Sequence, residues 1–201
     1  MAANFLPLTL TPAVEAAQLR TYGKSRAASP STTPDALTAG EAGFIAQRDS
    51  FHLGTINENG WPYIQHRGGP RGFLKVLDPR TLAFADLRGN RQLLTTGNLA
   101  TNPRASLFLM DYPRRERLKI LGYARTFLAA DEPDLAARIA PPNHPASAPI
   151  ERFVTIEVVA FDWNCPEHIT PRYTTEEIAT ATQPLRDRIA ELEAALARQP
   201  R

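Results

Sequence analysis

With 201 residues, 43% hydrophobic and 22% charged, the chain can form one core-bearing domain with peripheral helices, and its composition is that of an ordinary globular protein. A formal net charge of +2 is too small for a nucleic-acid surface, and Lys24, Lys75 and Lys119 are the only lysines among the basic residues. Cys165 is the single cysteine, so no internal disulfide can form. No stretch nears the ~18 apolar residues of a membrane helix, and residues 1–10 place no basic segment before a long apolar run, so a cytoplasmic protein is expected.

Residues 1–11 read as an extended arm. Thr11 then caps a helix that Pro12 opens and that runs to about Arg20, with Val14, Ala17 and Leu19 on its apolar side. Residues 23–34, rich in Ser, Thr and Pro, form a loop. Thr38 and Glu41 make a capping box ahead of Ala42, Phe44, Ile45 and Ala46, a helix ending near Arg48.

From Ser50 the period changes to two. Residues 51–56 and 61–66 pair across a turn at Asn59-Gly60, and 73–77 and 81–85 pair across Asp78-Pro79-Arg80. Residues 90–99 form a short helix with Asn90 as N-cap. Strands over 105–110 and 118–129 flank a basic loop at Pro113-Arg114-Arg115. A helix over 132–139 precedes a Pro-rich, non-helical stretch at 141–149. The last strand covers 153–161, where Val154, Ile156 and Val158 alternate with Thr155, Glu157 and Val159.

A C-terminal helix starts at 174, with Thr175 as cap and Leu185, Ile189, Leu192 and Leu196 at helical spacing; Pro184 interrupts it. The class is mainly β with peripheral helices: six or seven antiparallel strands in a barrel. The domains are a 1–37 arm and short helix, a 38–173 barrel and a 174–201 helix.

Residues 61–92 concentrate the candidate chemistry. Gly68, Gly69 and Gly72 clear the backbone for a ligand, while Arg67, Arg71, Lys75 and Arg91 carry charge suited to a phosphate. A helix starting behind Asn90 would add N–H donors. The alternative is surface arginines and glycines that only turn the chain. His66, at a strand end, suits either a structural hydrogen bond or a ligand contact.

Arg117 and Lys119 share one strand face, opposite Leu118 and Ile120. Facing a ligand, they would stabilise an anionic ring; otherwise they belong to a solvated rim with Arg114, Arg115 and Glu116. Trp163 offers stacking area and an N–H, His168 a titratable ring and Arg172 a further cation. Cys165 and His168 lack the second pair a zinc site needs, so Cys165 reads as a buried thiol and no metal is expected. The run Arg67-Gly-Gly-Pro-Arg-Gly72 is neither a Walker A loop nor a dinucleotide fingerprint, because Pro70 and a strand stand where both need a helix. His-Glu-x-x-His and Gly-x-Ser-x-Gly are missing as well, so hydrolase chemistry has no anchor.

Four runs together resemble the FMN-binding split-barrel proteins related to pyridoxamine 5'-phosphate oxidase: Phe44-Ile-Ala-Gln-Arg-Asp-Ser-Phe51; residues 62–78; Gly89-Asn-Arg-Gln92 through residues 102–107; and Trp163-Asn-Cys-Pro-Glu-His-Ile-Thr-Pro-Arg-Tyr173. The resemblance covers about residues 38–173. It implies a split β-barrel, FMN bound without covalent attachment at a homodimer interface, and electron or hydride transfer carried by the flavin.

Carried over by position, the resemblance implies cofactor contacts from His66, Arg67, Gly68, Gly69, Pro70, Phe73 and Lys75 along the flavin. Ala85 and Asp86 fall beside the ring, and Asn90, Arg91 and Gln92 at the phosphate. Arg117 stands where the oxidases have a glutamine against the ring. Trp163 and Arg172 would come from the partner subunit, with His168 as a substrate contact. Gln92 replaces a lysine of the oxidases, and residues 131–150 lack their Arg- and Ser-bearing substrate run. These departures point away from pyridoxamine phosphate and toward relatives carrying Trp-Asn-Cys-Pro. The expectation is an FMN-dependent oxidoreductase acting with NAD(P)H or a small-molecule substrate. The alternatives are a flavin-binding or flavin-sensing protein without turnover, and a haem-binding barrel with His66 or His168 as axial ligand.

Overall fold

The period-two runs assemble into one seven-stranded antiparallel sheet in the computed structural model, which describes residues 3–26, 29, 31–87, 91–141, 150–163 and 166–198. The strands are β1 (Ser50–Ile56), β2 (Pro62–Gly68), β3 (Lys75–Asp78), β4 (Thr81–Asp86), β5 (Arg104–Asp111), β6 (Glu116–Leu128) and β7 (Arg152–Trp163). Their spatial order is β2-β1-β5-β6-β7-β4-β3, so β2 and β3 are the two edges. Around the sheet stand α1 (Phe5–Thr9), α2 (Pro12–Tyr22), α3 (Ala39–Ala46), α4 (Leu94–Thr101), α5 (Pro133–Ile139) and α6 (Thr175–Ala197). The mainly β split barrel with peripheral helices is as the sequence leads one to expect.

Alternation decides which side chains fill the barrel. In β1, Phe51, Leu53 and Thr55 point inward while His52 and Ile56 point out. Leu107, Leu109, Leu118, Ile120, Ile156 and Val158 join them from the central strands, and α3 adds Phe44 and Ile45. A smaller cluster forms on the other face of β4 and β7, where Ile139 of α5 packs on Ala83 and Phe153. The β6–β7 register shifts between Leu121 and Gly122, and a Cβ on Gly122 would run into the Glu157 carbonyl. Only glycine fits that bulge.

The two edges approach through side chains. Phe73, just before β3, stacks on Phe51 at 5.6 Å, and Phe84 meets the same ring edge-on at 5.3 Å. Arg67 at the end of β2 pairs with Asp86 at the end of β4 at 2.5 Å. The glycine-rich connection between β2 and β3 is tied down by Gly69 N–H donating to the Asp49 carbonyl and Gly72 N–H to that of Arg48. Gly72 has φ +75° and a Cβ on Gly69 would overlap the Phe73 ring, so backbone conformation at one and packing at the other favour glycine.

Four expectations are corrected. Residues 5–9 form a helix rather than an extended arm. Asn4 at its head is buried and donates from its backbone and side-chain N–H groups to Asp35, which also accepts from Phe161 N–H and Ala3 N–H. Pro7 lies in the first turn, where its missing donor has no helical acceptor to lose. The helix expected from Asn90 begins only at Leu94. Arg91 (φ 61°) and Leu93 (φ 54°) are left-handed and hold the chain out of helix until then; Asn90 itself lies outside the described residues.

Thr174, not Thr175, caps α6 and completes a capping box with Glu177. Pro184 does not interrupt α6, which stays helical over 23 residues. Its ring removes one donation to the carbonyl of Thr180, an exposed residue whose oxygen water can reach. Residues 142–149, part of the expected Pro-rich stretch, lie outside the described residues.

Candidate functional site

Inward-facing Tyr63, Gln65 and Arg67 of β2, the end of β4, the start of β7 and the segment leading into α4 enclose a cavity of about 190 Å³. Antiparallel pairing sets Asp86 opposite Arg152. Asp86 therefore accepts from Arg67 at 2.5 Å and from Arg152 Nε at 3.5 Å, and Arg152 also reaches Glu151 at 3.4 Å. Arg91 supplies a third cation, so three guanidinium groups face two carboxylates around the cavity. The Arg67 Nε is buried without a hydrogen-bond partner, and its guanidinium lies 5.5 Å from the Phe84 ring centroid.

The first turn of α4 closes the same cavity. Leu93, Leu94, Thr95 and Thr96 line it, and the first N–H groups of a helix have no acceptor within that helix. Thr95 Oγ1 lies 2.8 Å from Gln65 Oε1, and buried Asn98 donates to Thr55 Oγ1 at 2.9 Å. These bonds fix α4 against β1 and β2, so its N-terminal end is held rather than frayed.

Of the residues expected to form one site, Arg67, Asp86, Arg91 and Gln92 come together here. Phe73 is a core side chain. Ala85 is buried within β4, and Lys75 is half-buried in β3 opposite Ala83. Gly68 ends β2, and Gly69 and Pro70 belong to the β2–β3 connection. His66 is on the outer sheet face, its ring 5.7 Å from that of His52. Arg117 also lies on that face, its guanidinium 5.6 Å from the Phe108 ring centroid and its Nε buried without a partner. His168 is exposed with φ 63°.

Trp163 and Arg172 lie apart from the arginine cavity within this chain. Trp163 Nε1 donates to Glu41 at 2.7 Å, and its ring meets Phe44 edge-on at 4.7 Å. Burial alone would raise the Glu41 pKa, yet hydrogen bonds from Thr38 and Trp163 outweigh it and hold this carboxyl below its ordinary 4.5. Arg172 lies over Tyr112 at 5.0 Å and lines a second cavity, about 330 Å³, with His52, Phe108, Arg71 and Arg114. A buried Arg48–Asp111 pair at 2.7 Å forms part of its wall.

The sequence reading missed Arg152, Gln65 and Thr95. Arg152 opens β7, one residue before the strand expected from 153, and only the β4–β7 pairing reveals that it meets Asp86. The alternation in β2 was legible, and it puts Gln65 on the face of Arg67. Among the described residues, no group of three or more His, Cys, Asp or Glu side chains is placed to hold a metal ion. None of their helices is long and apolar enough to cross a membrane.

A protein-family model described as pyridoxamine 5'-phosphate oxidase matches residues 37–164. No curated protein matches the chain. Among solved structures, the chain is similar to a Clostridium acetobutylicum protein related to general stress protein 26, of the pyridoxinephosphate oxidase family. The identity is 13% and the TM-score 0.47, over 69% of this chain and 94% of that one. It is similar to HupZ of Group A Streptococcus at 13% identity and TM-score 0.46, covering 68% and 100% of the two chains. An FMN-binding protein from Syntrophomonas wolfei is 13% identical with TM-score 0.42, over 61% and 81% of the chains.

Proposed function

The chain belongs to the pyridoxamine 5'-phosphate oxidase family, and from that premise we propose that it binds FMN and acts as an FMN-dependent oxidoreductase. The observation that carries the reading is that Arg67, Arg91 and Arg152 gather with the first turn of α4 around one cavity. A phosphate would accept from Arg67 and Arg91, with the N–H groups of the first α4 turn adding donors at the positive end of the helix dipole. The volume of about 190 Å³ is below the ~300–1,000 Å³ of pockets that enclose a whole ligand. It suits the phosphate end, leaving the ring to lie along the protein surface and be covered by a second copy.

Within that site the protein binds and orients. Asp86 holds the Arg67 and Arg152 guanidinium groups in place, so their charge is fixed before a ligand arrives. Gln92 and Thr95 add polar contacts without charge. Arg117, on the outer face of β6, would stabilise an anionic ring system lying there. The bound flavin would supply the electron or hydride transfer itself. The remaining parts of the proposal are a homodimer, a cytoplasmic location, and NAD(P)H or a small molecule as co-substrate.

The visible spectrum of the purified protein, followed by anaerobic addition of NADH or NADPH, tests the reading. Flavin bands that bleach support the oxidoreductase. Bands that persist with both nucleotides favour a binding or sensing protein, and a Soret band would indicate haem. A colourless protein that takes up no FMN would overturn the proposal.

A further inference from the structure

The C-terminal helix carries an apolar stripe that the rest of the chain leaves in water. Ile178, Leu185, Ile189, Leu192 and Leu196 are between 48% and 66% exposed, and no residue of α6 is buried. Their spacing is not only helical. From Ile178 the steps to Thr182, Leu185, Ile189, Leu192 and Leu196 alternate four, three, four, three, four, which is the heptad repeat. Ile178, Leu185 and Leu192 occupy the d positions, and Thr182, Ile189 and Leu196 the a positions. Pro184 falls at c, away from the seam.

We infer that α6 pairs with the α6 of a second copy as a parallel, in-register, two-stranded coiled coil. Over the central turns, Leu185 and Leu192 at d with the β-branched Thr182 and Ile189 at a give the combination that favours two parallel strands. The flanking charges point the same way. Arg188 is at g and Glu193 at the following e, so each Arg188 faces Glu193 of the other copy, twice across the axis. A fully overlapped antiparallel pairing instead sets Arg188 against Arg188 and Arg186 against Arg186, which repels. Among the described residues of one chain Arg188 pairs with Glu191, at 2.9 Å and with both side chains about two-thirds exposed, so its guanidinium is accessible to a partner. The symmetry axis of such a coil runs along the helices, which makes the pairing closed and dimeric. This inference does not rest on the flavin reading and survives if no flavin binds.

Disulfide trapping in the full chain, in a Cys165→Ser background, tests it. Leu192→Cys places two thiols across the seam, whereas Ala194→Cys, at f, points them outward. Mild oxidation is expected to give a disulfide-linked dimer with Leu192→Cys at least ten times faster than with Ala194→Cys. Adding Arg188→Glu should slow the link several-fold, and Arg188→Glu with Glu193→Arg should restore it. Equal rates at 192 and 194 would overturn the coil, as would no link at 192. Preferential cross-linking of Leu192→Cys to Thr182→Cys in a mixed sample would show an antiparallel pair and overturn the parallel one. Cys165→Ala carries the same comparison if Cys165→Ser does not fold.

Discussion

Replacing Arg67 by methionine separates the structural work of the arginine cavity from its binding work. The change removes the 2.5 Å partner of Asp86 and leaves that carboxylate, 11% exposed, with Arg152 at 3.5 Å. Breaking a fully buried ion pair costs about 3–5 kcal/mol; with Arg152 still in reach and both groups slightly exposed, about 2–3 kcal/mol is expected. For a chain of this length that is a Tm lower by about 4–12 °C. The double variant Arg67→Met/Asp86→Leu exchanges the pair for apolar side chains and leaves Arg152 on Glu151 at 3.4 Å. It should recover most of the loss, to within about 1 kcal/mol of the parent. Urea unfolding of the apo proteins, with FMN titration alongside, reads both effects: the double variant is stable yet binds FMN poorly. A single variant within 0.5 kcal/mol of the parent, or a double variant less stable than the single, would refute the role given to Asp86.

Arg91→Ala should weaken FMN binding by about 1.5–3 kcal/mol, the range for hydrogen bonds to charged groups, without lowering apo stability; unchanged affinity removes Arg91 from the site. Glu41 is held below its ordinary 4.5, so the stability it contributes is fully present above pH 4.5 and is lost as the pH falls through its lower folded value. Urea midpoints followed by tryptophan fluorescence should therefore drop below pH 4.5, and Glu41→Gln should flatten that drop; an identical profile in the variant contradicts the assignment. Gly122→Ala meets a backbone carbonyl at the β6–β7 bulge and should cost about 1–3 kcal/mol or more, read as a lower urea midpoint; a neutral result would mean the bulge can relax.

What the sequence made legible was local. The capping box at Thr38 and Glu41, the alternation of Phe51 and Leu53 and the hairpin at Asn59-Gly60 each carry their signal within a few residues, and the structure follows them. The cation cluster split for a non-local reason. Asp86 and Arg152 are 66 positions apart and meet only because β4 pairs with β7, which neither strand announces on its own. Leu93 carries no mark of its left-handed backbone, so the start of α4 was placed too early. Asn4 and Asp35 override an arm that reads as extended. Trp163 was read for its ring and its N–H toward a ligand, and within this chain that N–H ties β7 to the capping carboxylate of α3.

Comparing FMN with riboflavin, which lacks only the phosphate, tests the central claim most directly. Quenching of flavin fluorescence gives both dissociation constants on the same protein. If the arginine cavity receives the phosphate, FMN binds tighter by at least 10–150-fold, the equivalent of about 1.5–3 kcal/mol for a single charged hydrogen bond. The gap should shrink in Arg67→Met/Asp86→Leu. Equal affinities for the two flavins would contradict the account.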